Sequence, residues 1–234
     1  MKCVWEHNGN DTLLYAVEFI GAYTRGESLE IAKAKMCREI ADYALWSGQA
    51  YEEPCDIDII QEKQSELRIA DADSDVLFDA EKAPLAQKEY EALKALALKS
   101  ASNFEALYCS ILNKDESCRR PRQTFYGLVP RTAREMYEHT KQVNRYYFAE
   151  IGIEADNEGT ILECRNRGFA LLEKTENFLG NSVIEGSYDE LWSLRKVIRR
   201  FLWHDRIHAK AMYRMAVKTF GSDSIENTFQ FTME

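Results

Sequence analysis

Several features that would assign a function directly are missing from this chain of 234 residues. It has no apolar run near the roughly 20 residues needed to span a bilayer. Its first seven residues, MKCVWEH, lack the apolar core of a signal peptide. It contains no P-loop, no Gly-rich dinucleotide motif after a strand and no nucleophile elbow. We therefore expect a cytoplasmic protein that makes no membrane contact.

The chain is also short of positive charge. It has 30 Lys and Arg against 39 Asp and Glu, so its formal net charge is −9. An acidic chain repels phosphate backbones, and we expect no nucleic-acid partner. The 45% of hydrophobic residues is enough for a folded core.

Cysteine pairs at short spacing are absent, and histidine is scarce. The six cysteines form no CxxC motif, which excludes zinc ribbons and thioredoxin-like redox pairs. We expect most of them to act as small buried hydrophobic residues. The four histidines are His7, His139, His204 and His208.

Residues 1–80 have the pattern of a small α+β module. Short stretches rich in Val, Tyr, Phe and Thr alternate with turn residues, and Asn8 to Asp11 suit a hairpin turn. Ser28 is the expected N-cap of a helix over residues 29–46, which Gly48 would end. The predicted strands are residues 2–7, 12–19, 22–24, 56–63 and 75–78.

Residues 81–234 have the period of amphipathic helices. Ser187 and Glu190 form a capping-box pattern ahead of the last helix, which runs towards Gly221. Asn103 lies on an apolar stripe and should need a hydrogen-bond partner, and Gly168 suggests close helix packing. The four predicted helices cover residues 85–112, 131–151, 160–178 and 187–221. The predicted fold is thus an α+β module, residues 1–80, followed by an all-α four-helix bundle, residues 81–234.

Three histidines could meet in such a bundle. His204 and His208 are four residues apart, so both imidazoles lie on one helix face. His139 lies on the stripe of Met136, Val143 and Tyr146 in the second predicted helix. Three imidazoles and water can bind a divalent metal. The alternative is that they are ordinary hydrogen-bonded core residues. A zinc-protease motif is disfavoured because Asp205 stands where that motif has glutamate.

Two segments resemble the DinB-like (damage-inducible) four-helix bundles. They are MYEHTK at residues 136–141, with YYF at 146–148, and RFLWHDRIHA at residues 200–209. The resemblance covers residues 82–225. It implies a divalent-metal site formed by His139, His204 and His208, in which zinc, nickel and iron are not distinguished.

The resemblance also implies an activity. Some relatives are metal-dependent transferases or isomerases that use a low-molecular-weight thiol, which implies a small-molecule substrate and a thiol cofactor. Such bundles are often homodimers. No catalytic or cofactor-binding residue is assigned. A pocket open above the histidines would favour an enzyme, whereas a site closed by Tyr146, Trp203 or a fourth ligand would favour a non-catalytic metal-binding or stress-response protein.

The segment IGAYTRGESLEIA, residues 20–32, is similar to the turn and helix start of HicB-like domains. That resemblance implies a small ββ(β)αβ module of the kind found in antitoxins, but antitoxin function does not follow from it. We interpret the module as one that packs on the bundle or builds a dimer. The resemblance leaves a third alternative, a partner-binding adaptor that uses the module as its interface.

Two groups of arginines are candidates for anion contacts. Arg200 precedes His204 by four positions, and Arg206 lies between His204 and His208. We interpret both as solvated or ion-paired surface groups. The run RRPR at residues 119–122 is interpreted as a solvated loop.

Overall fold

The computed structural model describes residues 1–51, 55–71, 73–124 and 127–232. Its main sheet has the strand order β3-β2-β1-β4, in which β1 pairs with β2 antiparallel and with β4 parallel. The sheet strands are β1 (Lys2–His7), β2 (Thr12–Ala16), β3 (Tyr23–Gly26) and β4 (Asp58–Gln64). Two small antiparallel pairs are β5 (Gln123–Thr124) with β6 (Gly127–Leu128), and β7 (Ile184–Glu185) with β8 (Leu191–Trp192).

Five α-helices accompany the strands. They are α1 (Leu29–Ser47), α2 (Gln87–Ser110), α3 (Ala133–Ala149), α4 (Ile161–Leu172) and α5 (Leu194–Phe220). α1 connects β3 to the parallel strand β4, and α2 and α3 each contact both α4 and α5. No helix in the described ranges is both long and apolar enough to cross a membrane.

Local signals at the amino-terminal end are confirmed. The side-chain oxygen of Asn8 accepts hydrogen bonds from the amides of Asn10 and Asp11, 3.0 and 2.9 Å away, which closes the β1–β2 turn. Ser28 caps α1, and Gly48 ends it in the left-handed conformation. Turn and cap residues of this type can be predicted from the sequence because their role depends on local geometry alone.

The strand predicted at residues 75–78 is wrong. The amides of Asp75 and Val76 donate to the carboxylate of Glu6, at 3.0 and 3.3 Å, instead of to a neighbouring strand. A buried side chain thus satisfies backbone groups that a sheet would otherwise pair.

The predicted start of the last helix is also wrong. α5 begins at Leu194, and its N-cap is Ser193, whose hydroxyl accepts from the amide of Lys196. The Ser187 and Glu190 pattern fails because the carboxylate of Glu190 pairs with the buried ammonium of Lys196 at 2.8 Å. A short 3₁₀ turn and β8 occupy residues 187–192.

The prediction of an all-α four-helix bundle is wrong, as the surroundings of α5 show. A bundle helix keeps one solvated face, but α5 is buried on all sides through residues 196–206. Trp203 packs in a cluster with Val4, Leu13 and Tyr15 of the main sheet. In the described ranges α2 to α5 therefore form no clear all-α four-helix module, and one continuous core joins side chains from the sheet and from all five helices.

Two expectations about single residues in the helices hold. The indole nitrogen of Trp46 donates to the side-chain oxygen of Asn103 at 2.8 Å, so this amide has the partner that its position requires. A Cβ at Gly168 would collide with the ring of Phe148, which shows that α3 and α4 approach closely there.

The expectation that most cysteines are buried holds for Cys3 and Cys164 alone, since the other four are half-buried or exposed.

Candidate metal centre

Helices α3 and α5 bring the three predicted histidines together. His139 lies in the middle of α3, and His204 and His208 lie on successive turns of α5. The ring centroids are 5.1 Å apart for His139 and His204, 4.6 Å for His139 and His208, and 4.5 Å for the pair on α5. The nitrogens available as ligands all lie within 4.8 Å of one another, so the group could hold a metal ion.

The spacing of the nitrogens is compatible with coordination after small side-chain rotations. Metal–nitrogen bonds of about 2.0–2.1 Å in a tetrahedral site place ligand nitrogens about 3.3 Å apart. The widest nitrogen separation, at most 4.8 Å, exceeds this value by about 1.5 Å or less. Rotation about the two side-chain torsions of an exposed histidine covers such a difference.

The cluster extends from the surface to the interior. His139 is exposed, His208 is half-buried, and His204 is only 9% exposed. The Nδ1 atom of His204 is buried and has no hydrogen-bond partner among the residues that the structure describes. Buried polar atoms are almost always paired, so an unpaired imidazole nitrogen at a histidine cluster indicates a missing external partner.

Desolvation favours the neutral form of the three imidazoles. Desolvation lowers the pKa of His139, and it lowers the pKa of His208 to about 3 with the help of the neighbouring His139. The pKa of His204 falls well below its usual value because of burial and the nearby His208 and His139. Neutral imidazoles offer free lone pairs, which is the form that binds a metal.

Neighbouring carboxylates are engaged elsewhere. Glu135 caps α3 by accepting from the amides of Arg131 and Thr132, and Glu138 pairs with Lys141 at 3.0 Å. Within the described ranges no carboxylate or carbonyl accepts a hydrogen bond from the three rings. Metal-binding histidines usually have such a partner, so water would have to orient these imidazoles.

The predicted closing groups do not complete the site. Trp203 packs against Tyr15 and Tyr23, at 6.1 Å from each, which belongs to the sheet side of α5. Tyr146 is 37% exposed and packs edge-on against Trp192. No fourth His, Cys, Asp or Glu of the described residues joins the cluster, so the coordination positions beyond three are left to water or another ligand.

The interpretation of Arg200 and Arg206 as surface groups is wrong. Both side chains are buried, at 8% and 1% exposure. Arg200 donates to the carbonyl of Ser74 at 2.8 Å, and Arg206 pairs with Glu39 at 2.6 Å. They fix α5 against the amino-terminal part of the chain.

Sequence reasoning missed a buried network next to His204. The guanidinium of Arg165 binds both oxygens of Asp205, at 2.5 and 3.1 Å, and the hydroxyl of Ser100 donates to the same carboxylate at 2.7 Å. Arg165 and Asp205 are both 0% exposed. The available signal was the position of Arg165 on the apolar stripe of α4, among Ile161, Phe169 and Leu172.

His7 lies apart from the cluster. Its ring stacks on Trp5 with centroids 4.1 Å apart, and its Nε2 atom lies 3.0 Å from Glu62. It is thus a partnered histidine at the end of β1, and it provides an internal control for the other three.

Comparison of the chain with protein-family models, with curated proteins and with solved structures gives no match. The resemblances to DinB-like bundles and to HicB-like domains therefore stay predictions.

Proposed function

We propose that this protein binds one divalent transition-metal ion through His139, His204 and His208. The observation that supports this proposal is the convergence of three of the four histidines of the chain, one with an unpartnered buried nitrogen. Three neutral imidazoles with at least one free position match the ligand set of catalytic zinc sites and suit nickel and iron as well.

The exposure of His139 supports an accessible metal. Because this ligand lies at the surface and no fourth side chain of the described residues joins the group, the free positions would face solvent. A bound metal would supply Lewis acidity at these positions. The role of the chain itself is to present three uncharged nitrogens from two helices that the core holds in place.

We propose a low-molecular-weight thiol as the exogenous ligand, as the resemblance to DinB-like proteins implies. A thiol that binds at a free position would do so as the thiolate, because coordination lowers its pKa. Three cavities in the described part of the chain, of about 250, 460 and 520 Å³, are lined by residues other than the three histidines. We therefore place metal binding first and thiol transfer second.

Metal binding is tested on untagged protein by measuring metal content and affinity after reconstitution with zinc, nickel or ferrous iron. We expect one ion per chain and a free energy of unfolding that rises by about 2.7 kcal/mol at a metal concentration of 100 times Kd. His204→Ala and His208→Ala should weaken affinity by more than the roughly 10–100-fold typical of a lost outer-shell partner.

His7→Ala is the matched control, because His7 already has partners elsewhere in the structure. It should bind metal like the wild type. The proposal fails if reconstituted wild type holds no metal, or if His7→Ala loses as much affinity as His204→Ala.

The thiol proposal is tested separately on protein loaded with cobalt, whose absorption reports sulfur coordination. Addition of a low-molecular-weight thiol should produce a sulfur-to-cobalt charge-transfer band that His204→Ala lacks. If loaded protein shows neither this band nor turnover with a panel of thiols, the protein is a non-catalytic metal binder, and the metal proposal stands alone.

A further inference from the structure

A second candidate site lies on a different side of α5, beyond the histidines. A cavity of about 250 Å³ opens between β3, α1 and the carboxyl-terminal half of α5. Its wall carries six cationic and two acidic side chains, although the chain as a whole has a net charge of −9. The cationic residues are Arg25, Lys35, Arg38, Arg119, Lys210 and Arg214.

Both acidic residues of the wall already have partners. Glu39 accepts hydrogen bonds from Arg206 and from Lys210, at 2.6 and 3.0 Å. Asp42 accepts from the amide and the hydroxyl of Thr232, at 3.1 and 2.5 Å. The negative charge at this cavity is therefore used by contacts that hold α1, α5 and the residues near position 232 together.

Four of the cations have no carboxylate partner among the described residues. Lys35 donates to the carbonyl of Arg25 at 3.0 Å, and Arg25 donates to the carbonyl of Ala70 at 3.3 Å. The side chains of Arg38 and Arg119 make no hydrogen bond or ion pair within the described ranges. An acidic protein that gathers unpaired cations in one cavity maintains a local positive field there.

The half-buried Arg119 shows the consequence of this crowding. Partial burial lowers the pKa of its guanidinium, and the nearby charges of Arg131 and Arg214 lower it further. Like charges held close together cost stability unless an anion lies between them. The same arrangement of guanidinium groups can bind an oxyanion with paired N–H···O hydrogen bonds.

We propose that this cavity binds a small anion with at least two negative charges, of the phosphate-monoester class. The cavity has a volume of about 250 Å³. This is room for a phosphate group with a few further atoms, and it is below the 300–1,000 Å³ typical of drug-sized ligands. An extended polyanion does not fit, because the rest of the chain is acidic.

The proposal is tested by titration calorimetry of the full chain with inorganic phosphate and pyrophosphate. Metal is removed beforehand with a chelator, which is then dialysed away because it is itself a polyanion, and sodium chloride keeps the ionic strength equal in every sample. We expect saturable binding of pyrophosphate, and of phosphate more weakly. The double variant Arg38→Gln/Arg119→Gln should weaken pyrophosphate affinity at least tenfold. Arg145→Gln is the matched control, since Arg145 is an exposed arginine on α3 that does not line the cavity.

Three outcomes would overturn the proposal. The first is that neither phosphate nor pyrophosphate binds the wild type more strongly than chloride does. The second is that the double variant binds pyrophosphate as well as the wild type does. The third is that citrate binds at the cavity while phosphate and pyrophosphate do not. Because the chelator removes metal, these results are independent of the metal proposal.

Discussion

The buried polar groups of α5 have charged partners on some sides of the helix and, among the described residues, none on the side of the histidines. On the sides that face the amino-terminal part of the chain and α4, cations meet carboxylates, as Arg206 meets Glu39 at 2.6 Å and Arg165 meets Asp205 at 2.5 Å. On the side that faces α3, the polar groups of His204 and His208 have only other imidazoles as polar neighbours within the cluster.

The ion pairs stabilise the folded chain, whereas the imidazoles are free to bind an external ligand. An ion pair formed inside the chain leaves nothing for an external ligand, and its loss leaves an uncompensated buried charge. A group of neutral imidazoles has no internal counter-charge to lose, and its lone pairs are available to an external partner. Substitutions on the two sides should therefore have different consequences, and the following predictions use that difference.

The largest effect is expected from Asp205→Asn. The substitution leaves the guanidinium of Arg165, which is 0% exposed, without its counter-charge. Removal of one partner of a buried ion pair typically costs about 3–5 kcal/mol. Urea unfolding of the metal-free protein measures the loss.

Asp156→Asn is the control for this experiment. Asp156 pairs with Arg167 at 2.5 Å, but both side chains are more than two-fifths exposed. Exposed pairs contribute little, so the free energy of unfolding should hardly change. Equal losses for both variants would show that burial does not set the strength of the ion pairs of this protein.

A smaller effect is expected from acid. An unfolded histidine has a pKa of about 6.5, whereas burial lowers the pKa of His208 to about 3 in the folded chain. Between these values the unfolded state binds more protons, so the free energy of unfolding falls as pH decreases below 6.5. Above pH 6.5 His208 is neutral in both states and does not reduce the free energy of unfolding. At pH 5 its protonation in the unfolded state reduces that free energy by at most about 2 kcal/mol.

Urea unfolding at pH 7 and pH 5 in the presence of chelator measures this slope. His208→Gln, which cannot titrate in this range, should lose less stability than wild type over the same interval. If both proteins lose the same amount, the folded-state pKa of His208 is not lowered.

The smallest effect is expected from His204→Phe in the absence of metal. This change replaces a buried polar ring that has an unpaired nitrogen with an apolar ring. The loss of an unsatisfied polar group offsets the imperfect fit, so the free energy of unfolding should change by less than about 1 kcal/mol. Stabilisation by added metal should disappear. A large loss without metal would mean that His204 is a structural core residue.

The sequence predicted the candidate metal site better than the architecture around it. His204 and His208 were placed on one face because a spacing of four has a fixed meaning in a helix. The stripe around His139 allowed it to meet them, and the resemblance to DinB-like bundles implied that all three histidines form one site. The first two strands, Ser28 and Gly48 were predicted for the same reason, since each depends on local chain geometry.

The bundle was mispredicted because long-range contacts override helix periodicity. Arg200 and Arg206 were interpreted from the sequence as surface groups, but their partners, the carbonyl of Ser74 and the carboxylate of Glu39, lie more than 100 residues earlier. No local pattern distinguishes a charged residue at the surface from one buried in an ion pair. The start of α5 was mispredicted for a different reason, because Glu190 pairs with the buried Lys196, six positions later, instead of capping a helix.

The burial of α5 on all sides also limits how the protein can vary. Each of the eleven residues 196–206 contacts the interior, so a change of size or charge at any of them meets packed neighbours instead of water. A saturation scan should find this stretch the least tolerant in the chain, whereas α1 should accept changes at its exposed Ile31 and Leu45. The residues that determine a ligand at the histidines therefore have less freedom to drift on α5 than on α3, where His139 is open to solvent.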